Sequence, residues 1–329
     1  MGEGTHSGER RRAARMRRLA EELEEAGFEL GGRSKASQVV LLDEIRHALH
    51  PPVHERRVPS MGTIVDPQAH RKLWEQVTDL EIVERPVSDQ PLGWARRFAD
   101  GFSSWLVHRS EGPDSWVVFD RPSGSERDLG VIAEAFDATV VQRHPTGTVR
   151  IVNADGVWRW ERFDWHHEPN IDSWVHGLTE REVHGDPRVV RALLDFAVHD
   201  LGALGIGAIL IYRPAAEPGP QVEARLPLPP SLDISRPLSL APLRHALAQV
   251  DGATVFDASG TMRHIGVRLV PSMEAERSVP AMRGTRHTSA RRYSFDDPLS
   301  TVVVVSEDGP VTVMRNGEVL GSSLHPRAR

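Results

Sequence analysis

The apolar residues of this chain switch between helical and strand-like spacing along its length. Residues 9–26 place Met16, Leu19, Ala20 and Leu23 at helical intervals, which predicts one amphipathic helix. Gly27 and the Gly31-Gly32 pair supply stop signals. Residues 1–8 are small and polar, so they are expected to be disordered. From about 36 to 175, helical segments at Gln38–Leu49, Gln68–Val77 and Leu92–Phe102 mix with strands, clearest at Ser115–Asp120, Ala138–Gln142 and Thr148–Val152. Val157–Trp165 alternates in a way that predicts a further strand carrying Trp158, Trp160 and Phe163. These elements make an α/β domain of their own.

A boundary is predicted near 176–186, dividing the chain into 1–180 and 181–329. Asp186-Pro187 then opens a helix, because Asp is favoured at the N-cap and Pro at the first helical position. Val189, Val190, Leu193, Leu194, Ala197, Val198 and Leu201 form its stripe, and Gly202 or Gly205 can end it. Gly207–Tyr212 (GAILIY) is short and apolar throughout, as in a buried strand. A proline-rich loop (Pro214–Pro230) and a helix near Ser239–Val250 follow. Ala253–Asp257 and Met262–Leu269 read as a hairpin, residues 286–293 as a short helix, and Thr301–Ser306 as a central strand. Val311–Gly321 is a hairpin around Asn316-Gly317. The predicted fold class is α/β, a mixed sheet flanked by helices preceded by a separate α/β domain.

Composition narrows the chemistry. The 329 residues include no cysteine, which excludes disulfides, thiolate nucleophiles and Cys-ligated zinc. No apolar run approaches the ~20 residues that cross a bilayer, and no apolar stretch follows the charges of MGEGTHSGERRR. A cytoplasmic protein without a membrane partner is therefore expected. The net charge of -6 gives no bulk case for nucleic-acid binding. Lys35 and Lys72 are the only lysines; the arginine cluster Arg10, Arg11, Arg12, Arg15, Arg17 and Arg18 is read as a solvated helix face. Trp158, Trp160, Trp165 and Trp174 read as core in preference to a ligand pocket. His166-His167-Glu168 lacks metal-ligand spacing and reads as an exposed loop.

Two segments carry candidate chemistry. Asp251-Gly252-Ala253 lies between a helix and a strand, where an acid before glycine exposes a carboxylate and admits a ligand close to the backbone. Gly284-Thr285-Arg286-His287 precedes a helical turn, so free N–H groups and the positive dipole end face outward. Thr285 adds a hydroxyl, Arg286 can hold phosphate oxygens bidentately, and His287 can ligate a divalent metal or hydrogen-bond a phosphate. With Asp251 these are the parts of a nucleoside-triphosphate site.

Residues 185–323 resemble the diadenylate cyclase (DAC) domain family of the DisA-N type. The resemblance rests on GAILIY (Gly207–Tyr212), DGA (Asp251–Ala253), GTRH (Gly284–His287) and VVVVSEDGPVTVMRNGE (Val302–Glu318). It implies condensation of two ATP into cyclic di-AMP with release of pyrophosphate. Each domain would bind one ATP, and two domains of a homo-oligomer would face each other. Catalytic roles then fall to Asp251, Arg286 and His287. Nucleotide binding falls to Gly252, Ala253, Gly284, Thr285, Arg286, Thr288, Ser306 and Glu307, and Mg²⁺ or Mn²⁺ binding to Asp251 and His287. The preceding region resembles the sensor-like regions found before such domains and would regulate activity. The alternative is a nucleotide-binding sensor that keeps the cyclase fold without turnover. Thr288 motivates it, because it stands where the family usually has a second arginine, a loss worth roughly 1.5–3 kcal/mol. Arg291 or Arg292, one turn on, is placed to compensate. The sequence also has Val250 where His is common, and Phe295 before a displaced Asp296-Asp297.

Overall fold

The computed structural model describes residues 3–30, 34–53, 58–87, 91–161, 163–169, 171, 174–175, 185–214, 222–224, 229–307 and 310–322. The chain divides into two compact units, Met1–Asn170 and Ile171–Arg329. The boundary expected at 180/181 lies outside the described residues, as does most of the proline-rich loop. No described helix is long and apolar enough to cross a membrane.

The first unit opens with helix α1 (Glu3–Glu25), which starts at Glu3 rather than at residue 9, the backbone already helical where disorder was expected. Gly27, at φ +78°, closes its end. Its charges oppose the helix dipole, so packing has to hold it. Leu19 and Leu23 are buried in one cluster with Leu41 and Ile45 of α2 (Lys35–Leu49), which Ser34 caps through its hydroxyl. Then come β1 (Met61–Val65), α3 (Arg71–Thr78), β2 (Ile82–Pro86), α4 (Leu92–Ala95) and the 3₁₀ turn Arg96–Phe98. The helix expected over Leu92–Phe102 is thus cut short: Gly101 turns at φ +76° and the chain enters β3 (Ser104–His108). After β4 (Ser115–Phe119), α5 (Glu126–Phe136) starts at a Ser125–Asp128 capping box. Strands β5 (Thr139–Arg143), β6 (Val149–Asn153), β7 (Gly156–Glu161) and β8 (Asp164–Pro169) complete the unit.

The sheet order is β2-β4-β3-β1-β5-β6-β7-β8, parallel only between β1 and β3. Trp74 of α3 stacks on Phe136 of α5 with centroids 3.9 Å apart, over a cluster that includes Ile64, Trp105 and Val140. The single strand expected over Val157–Trp165 is a hairpin. Phe163 sits at its turn with φ +67° and is 92% exposed, so it is not a strand residue. His166-His167-Glu168 lies in β8, not in a loop: His167 stacks on Trp158 at 4.2 Å and Glu168 is buried beside Arg159. Trp158 and Trp165 belong to the core, as the pattern suggested.

After Asp186, its N-cap, the second unit forms α6 (Pro187–Asp195), which continues through wider π-type turns to Leu201. Gly205, left-handed at φ +66°, ends the helical run. Then follow β9 (Ala208–Tyr212), β10 (Val222–Ala224), α7 (Pro237–Leu247), β11 (Ala253–Phe256), β12 (Met262–Leu269), α8 (Met273–Ser278), α9 (Thr285–Asp296), β13 (Thr301–Val305), β14 (Val311–Arg315) and β15 (Glu318–Ser322). The sheet order is β10-β12-β11-β9-β13-β14-β15, with β9 and β11 the parallel pair. β9 and β13 are buried along their whole length, which explains their unbroken apolar sequences. One face packs on α6 and the following turns through Val303, Val305, Leu210 and Tyr212. The other packs on α9 through Ala290 and Tyr293.

Candidate functional site

The two segments singled out by sequence meet at one end of the second sheet. Asp251 precedes β11 and Arg286 lies in the first turn of α9. The Arg286 guanidinium lies 3.9 Å from an Asp251 carboxylate oxygen and donates to Glu307, just past β13, at 2.8 Å. The carboxylates are 95% and 69% exposed and Arg286 is 37% exposed, so all three are open to a solute. Such an exposed pair is worth only about 0–1 kcal/mol. A charge-assisted bond from Arg286 to a phosphate is worth roughly 1.5–3 kcal/mol, enough to draw the guanidinium off Glu307.

Two glycines make this approach possible. Gly252 has φ +115°, and a Cβ there would lie 2.8 Å from the Gly266 carbonyl carbon, so only glycine fits. At Gly207 a Cβ would collide with the Arg286 guanidinium and come within 2.9 Å of Glu307 Cγ. The sequence pattern puts Gly207 with an apolar strand and not in the site, and the strand itself starts one residue later, at Ala208. A glycine directly before a buried strand is the signal that could have found it.

At the tip of α9 the N-cap is Gly284, which brings no side-chain acceptor to the first-turn N–H groups. Those groups and the helix dipole suit an anion. Thr285 is exposed there. His287 is half-buried; its Nε2 stands 3.4 Å from Thr312 Oγ1 of β14, a neighbour the sequence did not suggest. Burial holds its pKa below the usual histidine value, which favours the neutral ring.

Other expected residues lie less openly. The Ala253 methyl is buried in the core with Ile209 and Val302, so of the DGA segment only Asp251 and Gly252 present surface. The Thr288 hydroxyl accepts from Met282 N–H at 3.0 Å and lies within 3.1 Å of the Met282 and Gly284 carbonyls, fastening the approach to α9. Ser306 donates its N–H to Pro310 O at 2.9 Å. Arg291 donates its Nε–H to Gly317 O at 2.7 Å and Arg292 its Nε–H to Val279 O at 3.4 Å. The displaced acids are structural too, Asp296 accepting from Ser272 and Asp297 from Arg213.

No group of three His, Asp or Glu side chains able to hold a metal exists among the described residues. Asp251 by itself fits the way Mg²⁺ is usually held, by one or two carboxylates plus substrate phosphates and water. Its carboxylate is almost fully exposed, and Arg286 at 3.9 Å is its ion-pair neighbour among the described residues.

Comparison with known proteins places both units. Residues 197–319 match the DAC family, described as "DisA bacterial checkpoint controller nucleotide-binding". The carboxy-terminal unit is a DAC domain. Residues 17–168 match a second family, "Probable sensor domain DACNK", so a DACNK domain precedes the DAC domain. Among solved structures, a hypothetical membrane spanning protein from Bacillus cereus is 20% identical over 38% of this chain and 59% of its own, with a TM-score of 0.29. The chain thus spans less than two thirds of that protein. A double mutant of DacA from Staphylococcus aureus is 18% identical over 42% of this chain and 87% of its own, with a TM-score of 0.27. At these TM-scores neither likeness bears on activity. No curated protein matches the chain.

Proposed function

We propose that the DAC domain condenses two ATP molecules into cyclic di-AMP, under control of the DACNK domain. The observation that supports this most strongly is Arg286. It stands between Asp251 and Glu307 at the uncapped tip of α9, where a triphosphate would find a cation, free N–H groups and an open carboxylate. Thr285 and Arg286 grip the phosphates. Gly207 and Gly252 let the nucleotide and the guanidinium approach the backbone. Asp251 would hold Mg²⁺ or Mn²⁺, which neutralises phosphate charge when bound, and His287 presents a neutral imidazole to the metal or to a phosphate oxygen.

Two such domains in a homo-oligomer bring two nucleotides face to face. The 3′-oxygen of each attacks the α-phosphorus of the other; the bond to the bridging oxygen breaks, the hydroxyl proton passes to solvent, and pyrophosphate leaves. Two displacements close the ring and release two pyrophosphates. The residues position reactants and neutralise charge, which is what phosphoryl-type transfer demands of a protein. One domain holds only half of the reaction centre, so activity requires assembly.

Thr288 favours a second reading, a nucleotide-binding sensor without turnover, since its hydroxyl is engaged by the backbone of Met282 and offers no cationic grip on a phosphate. Incubation of the full chain with ATP and Mn²⁺, followed by mass spectrometry, separates the two. Cyclic di-AMP supports the cyclase; ATP binding with no cyclic product at high protein concentration supports the sensor.

A further inference from the structure

The amino-terminal half of α1 gathers positive charge against the field of its own helix. Arg11 and Arg15 stand one turn apart, a like-charge spacing that weakens a helix. Both are exposed, and no ion pair engages either among the described residues. With Arg12, and Arg46 from α2, they line an open-mouthed cavity of about 300 Å³. Asp43 is the acid that touches this group. It accepts from Arg12 at 2.8 Å and Arg46 at 3.2 Å through one oxygen, while the other already accepts from Arg96 at 2.8 Å. Arg46 Nε is buried with no hydrogen-bond partner among the described residues. A buried donor without an acceptor is costly, and this one belongs to a residue that lines the cavity.

From this geometry we infer that the cavity between α1 and α2 binds a small, multiply charged phosphoanion. Planar guanidinium forks match phosphate oxygens. All four lining residues are arginines, so their guanidinium groups bring positive charge to the mouth while their aliphatic stems form much of the wall. The volume lies at the lower end of the ~300–1,000 Å³ of ligand pockets, which suits a diphosphate or triphosphate group. A concave site on a chain of net charge -6 is a poor surface for a duplex. The bound anion cancels the repulsion between Arg11 and Arg15, fastening α1 to α2. This site lies in the DACNK domain, is distinct from the one proposed for ATP, and stands whether or not that reading holds.

Calorimetric titration of the full chain with pyrophosphate at fixed ionic strength tests it, in an Arg286→Gln background that removes the other proposed phosphate grip. The expected result is a saturable isotherm whose Kd weakens at least tenfold when Arg11→Gln and Arg15→Gln are added. The paired Arg11→Lys and Arg15→Lys substitutions, which keep charge but lose the fork, should fall between. Pyrophosphate should raise the Tm of the arginine-bearing protein and leave that of the glutamine variant unchanged. Arg12, Arg46 and Asp43 stay untouched, and circular dichroism of the variants checks that they fold. An isotherm indifferent to Arg11 and Arg15 would overturn the inference. So would silence with pyrophosphate while a 20-base-pair duplex binds through those arginines, which would assign the cluster to nucleic acid.

Discussion

In the DACNK domain the closely paired charges are inside the fold, whereas in the DAC domain the charges of the candidate site are outside. Glu44 is fully buried and accepts from Thr63, from Arg96 at 2.6 Å and from His108 at 3.0 Å. Glu126 is buried against Arg159, which also reaches Glu168 at 3.2 Å. These groups lost their hydration on folding and are held by one another, so they fix which elements meet and leave little for a ligand. Asp251, Arg286 and Glu307 keep most of their hydration and form weak mutual contacts that a solute can replace. Removing a charge should therefore cost stability in one region and function in the other.

The largest effect is expected from Glu126→Gln. It removes the closer of the two carboxylates that hold Arg159 in the interior and should destabilise the DACNK domain by about 3–5 kcal/mol; denaturant unfolding showing less than about 1 kcal/mol would erase the contrast. Asp251→Asn should leave unfolding within about 0.5 kcal/mol of wild type. Product formation should nonetheless fall at least ~100-fold, the scale of losing one electrostatic contact in a transition state. A variant that cycles normally would remove Asp251 from the account. Gly207→Ala should push Arg286 aside and weaken ATP binding roughly tenfold, the equivalent of about one hydrogen bond to a charged group; unchanged affinity in a fluorescence titration would detach Arg286 from the nucleotide.

A further contrast is a pH dependence in the DACNK domain that arises from its buried charges. Burial opposes the charge on His108, yet its bonds to Asp114 and Glu44 raise its pKa from 6.5 to about 9. A raised pKa gives stability that is complete below 6.5 and lost as pH climbs through about 9. Burial opposes the charge on Asp43 as well, but the bonds from Arg96, Arg46 and Arg12 lower its pKa from 3.8 to about 2. That contribution is present above 3.8 and lost as pH falls through about 2. The unfolding free energy of this domain should decline as pH rises from about 6.5 toward 9, and His108→Gln should flatten that alkaline decline. A decline that survives the substitution would place its cause elsewhere.

The same contrast explains what could be read from the sequence. In the DAC domain the strands bury apolar side chains on both faces, so GAILIY and TVVVV announce themselves, and Asn316-Gly317 marks its turn with two left-handed residues. In the DACNK domain Met61–Val65, Ile82–Pro86, Ser104–His108 and the helix Glu126–Phe136 went unread. Their faces mix apolar residues with polar ones whose partners are remote: Thr63 with Glu44, His108 with Glu44, Glu126 with Arg159. A local window sees a charge and infers solvent. The β7–β8 turn was hidden for another reason, since Phe163 takes the left-handed conformation where glycine or asparagine is the usual sign. At the candidate site the motif residues were legible, but the Arg286–Glu307 pair and the space left by Gly207 depend on three strands meeting, which spacing does not reveal.

The most direct measurement is a crystal structure of the full chain with a non-hydrolysable ATP analogue and Mn²⁺, collected for the anomalous signal of manganese. The account predicts the triphosphate on the Arg286 guanidinium, drawn away from Glu307, at the tip of α9, with an anomalous peak at the Asp251 carboxylate. A nucleotide bound elsewhere, with Arg286 still on Glu307 and no manganese at Asp251, would contradict it.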